Sequence, residues 1–231
     1  MKNPVLNLKY VATVDPVDEF MLMGTADSEF WIQRLAEYDL TPIETEGRTR
    51  LVIAFFRSRY LGMPFTEAII SVDAKANNRD TFFLVAGFQS NRFFAFTERH
   101  HFMTPYHHAS INIRETNTTS LIEFKSKAAG SLELSIPLTK SPRVDNYDWE
   151  GAIHFNHSKQ PHHHLVFGAR MRAQRKIYTI EKEKLLVDIQ PTPASSALHS
   201  LTESEFRPTE YSRCPHALHA RTATASPSPG S

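Results

Sequence analysis

From residue 49 onward the chain is written in short apolar runs separated by polar turns, and this punctuation dictates strands. Leu51-Val52-Ile53-Ala54-Phe55-Phe56 is apolar throughout, as a strand buried on both faces requires. Phe65-Thr66-Glu67-Ala68-Ile69-Ile70-Ser71-Val72 is a second run, interrupted by one acid. Ala76-Asn77-Asn78-Arg79-Asp80 has the composition of a hairpin turn leading into Thr81–Ala86. Ala109–Arg114, Ser120–Lys125 and Ser131–Ile136 alternate cleanly and predict half-buried strands, with Asn117 and Gly130 where turns are needed. Further strands are expected around Ala152–Phe155, Leu165–Met171, Arg175–Ile180 and Leu185–Ile189.

Helical signals are confined to two places. Asp27-Ser28-Glu29 supplies a capping side chain and a first-turn acid, and Trp31, Leu35 and Tyr38 follow on one face, with Trp31 read as a core anchor. Thr41-Pro42 ends that helix. Ser90 or Asn91 caps a second, through Phe93, Phe94 and Phe96 to near Arg99. Residues 1–24 carry no clear period and are expected to form an irregular arm. Thr222–Ser231 is rich in Ser, Pro, Ala and Thr and is expected to be a disordered tail after a single domain over 1–221. The expected class is mainly β and antiparallel, with two short helices.

Composition removes several functions. At 231 residues the chain can bury one sizeable core. A net charge of +1 gives no electrostatic reason to expect nucleic acid or an anionic membrane as partner. No apolar run is long enough to span a bilayer, and the first twenty residues lack a signal peptide's apolar core. The single cysteine, Cys214, leaves no internal disulfide, zinc finger or iron–sulfur site and fits a cytoplasmic protein. No phosphate-binding glycine loop, GxSxG or HExxH is present, and alternating βα patterns are missing. No cofactor is expected.

Glu67 is the most informative acid. A carboxylate inside an apolar strand needs a cation or several donors, or it keeps its proton, and such a group is a candidate acid/base. The alternative is an edge-strand residue paired with Arg48, Arg50, Arg57 or Arg59. Nine of the 12 histidines cluster at His100/His101, His107/His108, His154/His157 and His162–His164. No metal is assigned to them: residues three apart on a strand point to opposite sides, and 162–164 reads as an exposed loop. The ten lysines fall in termini, turns or solvent-facing positions, none of them within 76–124.

Two motifs resemble the acetoacetate decarboxylase-like superfamily. Tyr60-Leu61-Gly62-Met63-Pro64-Phe65-Thr66-Glu67 with its following strand is similar to the family's Gly-Pro-Tyr-x-Glu. Arg99 to Ala109 is similar to Arg-Glu-x-x-Gly-Phe-Pro-Lys-Lys-x-Ala, and Glu67 precedes position 106 by 39 residues, as the family spacing asks. Ser204–Pro208 with His219-Ala220-Arg221 resembles the relatives' C-terminal strand. The resemblance covers most of residues 45–221. It implies a closed antiparallel β-barrel, with two or three short helices, around a pocket for a small-molecule substrate.

It also implies decarboxylation through a lysine Schiff base, and here the chain departs from it. Tyr106 and His107 stand at the two lysine positions, His100 replaces the acid after the arginine, and Met103 replaces a glycine. A phenol cannot form an imine. The resemblance therefore assigns Glu67, Tyr106 and His107 as candidate catalytic groups and Arg99, His100 and His108 as candidate substrate contacts. Three readings stay open: acid/base chemistry on a small oxo acid or keto compound, a non-catalytic ligand-binding barrel, or a structural relict with a filled interior. Relatives assemble through barrel faces, so a homo-oligomer is a further expectation, although no sequence feature marks an interface.

Overall fold

The computed structural model describes residues 9–138, 141–180, 182–192 and 196–226. Strand β1 (Tyr10–Asp27) leads into α1 (Ser28–Leu35). Short strands β2 (Thr41–Pro42) and β3 (Glu44–Thr45) precede the long β4 (Arg48–Tyr60), β5 (Met63–Ala76) and β6 (Arg79–Gln89). Helix α2 (Arg92–His100) and β7 (Tyr106–His108) follow, then β8 (Ser110–Glu115), β9 (Thr119–Ser126) and β10 (Gly130–Pro137). The chain ends through β11 (Arg143–His157), β12 (Gln160–Thr179), β13 (Leu186–Pro191), α3 (Ser196–Glu203) and β14 (Arg207–Thr222).

Seven strands close into a barrel in the order β5-β4-β1-β14-β12-β11-β6 and back to β5. Six of these pairings are antiparallel, but β6 and β11 run parallel through Phe82↔Ile153 and Leu84↔Phe155. The barrel is therefore mixed rather than wholly antiparallel. The cause is the long excursion between β6 and β11, which carries α2 and three strands of a second sheet and returns the chain in its original direction. That second sheet, β13-β10-β9-β8, is antiparallel throughout.

The alternation of side chains along each barrel strand divides the apolar residues between two compartments. Leu51, Ile53 and Phe55 of β4 join Phe20, Leu22 and Phe88 in a cluster outside the barrel wall, completed by Phe124, Leu132 and Leu134 of the flanking sheet. Val52, Ala54 and Phe56, the intervening residues, pack inside with Met21, Met23 and Cys214. This is why β4 is apolar at every position.

Helix α1 is capped as expected, Glu29 N–H donating to Asp27 Oδ1 at 3.1 Å, and Trp31 and Leu35 are fully buried. Asn91 caps α2, its Oδ1 accepting from Phe93 N and Phe94 N. At the β5–β6 turn Asn77 and Asn78 both hold positive φ, the conformation a two-residue hairpin requires.

Residues 10–24 form most of β1 and are not an irregular arm. Both faces of β1 are buried in its second half, and register shifts at Tyr10/Ala12, Val14/Val17 and Val17/Glu19 interrupt the period in its first. Residues 165–180 belong largely to one strand, β12, rather than two, its register against β14 slipping between Arg172 and Lys176. His163 and His164 lie in β12 rather than a loop, with His154 Nδ1 and His164 Nε2 2.7 Å apart. Among the described residues no cluster of three metal-ligating side chains occurs, and no helix is long and apolar enough to cross a membrane. Of the expected tail, Thr222 ends β14 and Ala225 bridges Val166, whereas 227–231 lie outside the described residues.

Candidate active site inside the barrel

Strand register places one row of side chains across the inner wall. Glu19 of β1 pairs with Phe56 of β4, Phe56 with Glu67 of β5, and Glu67 with Gln89 of β6. Residues in register share a face, so all four line the cavity of about 360 Å³ that the barrel encloses. Tyr106 enters the same space from β7, which runs parallel to β6 with Tyr106 beside Gly87. A Cβ at Gly87 would lie 2.3 Å from the Tyr106 ring, so the absence of a side chain there is what lets the phenol lie flat against the wall.

The Tyr106 hydroxyl donates to Glu67 Oε1, and Gln89 Nε2 donates to Glu67 Oε2 at 2.7 Å. Glu67 is thus supplied by two neutral donors, and none of the four arginines weighed for it is its partner. Burial raises its pKa to about 7, with the Glu98 carboxylate adding to the rise, while the Tyr106 hydrogen bond, His219 and Arg221 oppose it. Burial, with the charges of Glu67 and Glu98, holds the Tyr106 phenol well above its usual range. The phenol therefore keeps its proton while the carboxyl titrates near neutrality.

Two further polar pairs line the cavity. Arg221 Nη1 donates to both Glu98 oxygens, at 2.9 and 2.7 Å, and its guanidinium lies over the Phe102 and Phe167 rings. Thr104 Oγ1 donates to the Glu98 carboxylate at 2.8 Å, fixing it from the other side. Deeper along the row, His219 Nε2 sits 3.3 Å from Glu19 Oε2. Burial lowers the His219 pKa, but the Glu19 and Glu67 carboxylates together outweigh it and the net direction is upward.

The structure brings Glu67 and Tyr106 together and places the other four sequence-assigned residues elsewhere. His107, next along β7, faces away from the cavity toward Phe88, its Nδ1 accepting from Arg99 Nη1 at 3.2 Å. Burial and the Arg99 charge lower its pKa. His100 is exposed and stacked on Phe96, and His108 is exposed at the strand end. Neither these three nor Arg99 lines the cavity. Sequence reasoning missed Glu19, Gln89, Glu98, His219 and Arg221. Its available signal was strand parity: His219 and Arg221 are two apart on β14, and Glu19 immediately precedes the apolar run Phe20-Met21-Leu22-Met23 of β1.

No protein-family model matches the chain, and no curated protein sequence is significantly similar to it. Solved structures do resemble it. The acetoacetate decarboxylase of Legionella pneumophila superposes with a TM-score of 0.67 at 11% identity, over 99% of this chain and 92% of that one. An acetoacetate decarboxylase-like enzyme from Sphingomonas wittichii gives 0.60 at 12%, over 92% and 91%. The enduracididine biosynthesis enzyme MppR, in complex with pyruvate, gives 0.63 at 8%, over 95% and 91%. The fold is the acetoacetate decarboxylase-like barrel.

Proposed function

We propose that this chain is an acetoacetate decarboxylase-like protein whose barrel binds a small oxo acid or keto compound and moves a proton on it without forming an imine. The observation that carries the reading is the Tyr106–Glu67 hydrogen bond inside the cavity, with Glu67 poised near neutrality. No lysine is found among the described residues lining that cavity, which supports chemistry other than a Schiff base. Solved relatives of this fold include a decarboxylase and an enzyme holding pyruvate, so a carbonyl ligand is the class the neighbours favour.

The step is a proton transfer. The ionised Glu67 takes a proton from the carbon beside the ligand's carbonyl, leaving an enolate; the carboxyl then trades that proton with solvent and protonates the same carbon. Tyr106 and Gln89 orient the carboxylate by donating to its two oxygens. His219, held by Glu19 on the same wall, supplies positive charge toward the developing enolate oxygen when it is protonated.

Deuterium incorporation at carbons beside the carbonyl, followed by NMR in D₂O over a panel of oxo acids and ketones, tests this. Turnover by the native protein and a loss of about 100-fold or more in Glu67→Gln are expected. Equal rates in the two proteins would remove Glu67 from the mechanism, and binding without exchange would leave a carrier barrel. Borohydride treatment with acetoacetate should add no mass to a cavity residue; a trapped adduct there would contradict the imine-free reading.

A further inference from the structure

We propose that the ligand is an uncharged ketone or aldehyde with a linear apolar chain rather than a small carboxylate. This narrows the proton-transfer reading of Glu67 and Tyr106 and rests on it.

The first argument is charge. A carboxylate entering a largely apolar cavity needs an unspent cation. Among the described residues, every cationic side chain lining this one already faces an acid. Arg50 Nε is 2.7 Å from Asp73, Arg170 reaches Asp148 and Glu150, Arg175 Nη2 is 3.1 Å from Asp145, Arg221 is held by Glu98, and His219 by Glu19. The carboxyl groups around the polar wall, Glu19, Glu67 and Glu98, are themselves acids facing the same space. A further carboxylate would have to displace one of them, whereas a carbonyl oxygen asks only for a donor.

Shape and lining supply the second argument. Cavities of ~300–1,000 Å³ hold drug-sized ligands, so a four-carbon oxo acid leaves much of this 360 Å³ cavity empty. Besides the row of polar groups and a further polar set of Arg50, Ser71, Tyr147, Arg170 and Arg175, the wall includes Met21, Met23, Val52, Ala54, Ile69 and Phe167. Apolar cavity surface gains by burying methylenes, and the two methionines adapt to a chain of varied length.

Isothermal titration of the full chain with a homologous series of 2-alkanones, and with 2-oxo acids and alkylamines of matched length, tests the proposal. Alkanone affinity should rise about fourfold per added methylene until the cavity is filled. The matched oxo acids and amines should bind at least about tenfold more weakly. Ala54→Phe, or Val52→Phe if the first fails to fold, should erase the gain from longer chains and spare the shortest ketone. Affinity independent of chain length, or oxo acids or amines binding as well as their ketones, would overturn it. Chain-dependent ketone binding without proton exchange would uphold the ligand class while removing the catalytic reading; exchange confined to short oxo acids would do the reverse.

Discussion

A carboxyl group facing an apolar cavity must collect donors or keep its proton, and Glu67 does both near neutral pH. Its position depends on Tyr106, and Tyr106 depends on Gly87. Replacing Gly87 with Ala drives a methyl group into the phenol ring. We expect a loss of about 1–3 kcal/mol by chemical denaturation, together with loss of the Tyr106–Glu67 contact. Glu67 and Tyr106 were legible in the sequence because an acid in an apolar strand and a family spacing pointed to the same place. His107 was not placed by that spacing: neighbouring positions on a strand face opposite sides, so once Tyr106 enters the barrel His107 leaves it. Arg99 and Glu98 repeat the lesson on α2, where one step along the helix turns the side chain by about 100° and puts Glu98, not Arg99, on the cavity.

At the scale of elements, strands with one solvated face, such as β9 and β10, were readable from alternation alone, because burial differs between their faces. Strand β1 was not, since burial on both sides and its register shifts remove the period. The hairpin between β4 and β5 carries its own cost. Leu61 sits at φ 49° and is 80% exposed, so its side chain gains little packing in a left-handed conformation that disfavours it. Leu61→Asn should therefore stabilise the fold by about 0.5–1 kcal/mol in denaturant melts, with the barrel unchanged.

For the whole molecule, closure of β5 onto β6 gives a barrel whose inner face holds the acids and whose outer face meets the second sheet. Neither the parallel β6–β11 contact nor the flanking sheet was legible, because pairing between distant strands leaves no local pattern. A half-buried acid in this interior links stability to pH. Glu67 titrates at its ordinary value of 4.5 when unfolded and near 7 when folded. Its contribution is fully present below 4.5 and is lost as pH rises toward 7, since the folded state retains a proton that the unfolded chain has released. The stability of Glu67→Gln relative to the native protein should therefore increase over that window, by up to about 3 kcal/mol, as read from denaturation at several pH values. The same carboxyl sets the chemistry, and the most direct test is the pH profile of proton exchange on the best carbonyl ligand, compared with that of Tyr106→Phe. The native rate should rise through pH of about 7 and then level, with the midpoint displaced upward in Tyr106→Phe because the hydrogen bond that favours the carboxylate is gone. A profile flat from acid to alkaline pH, or a midpoint indifferent to Tyr106, would contradict a Glu67–Tyr106 proton-transfer site.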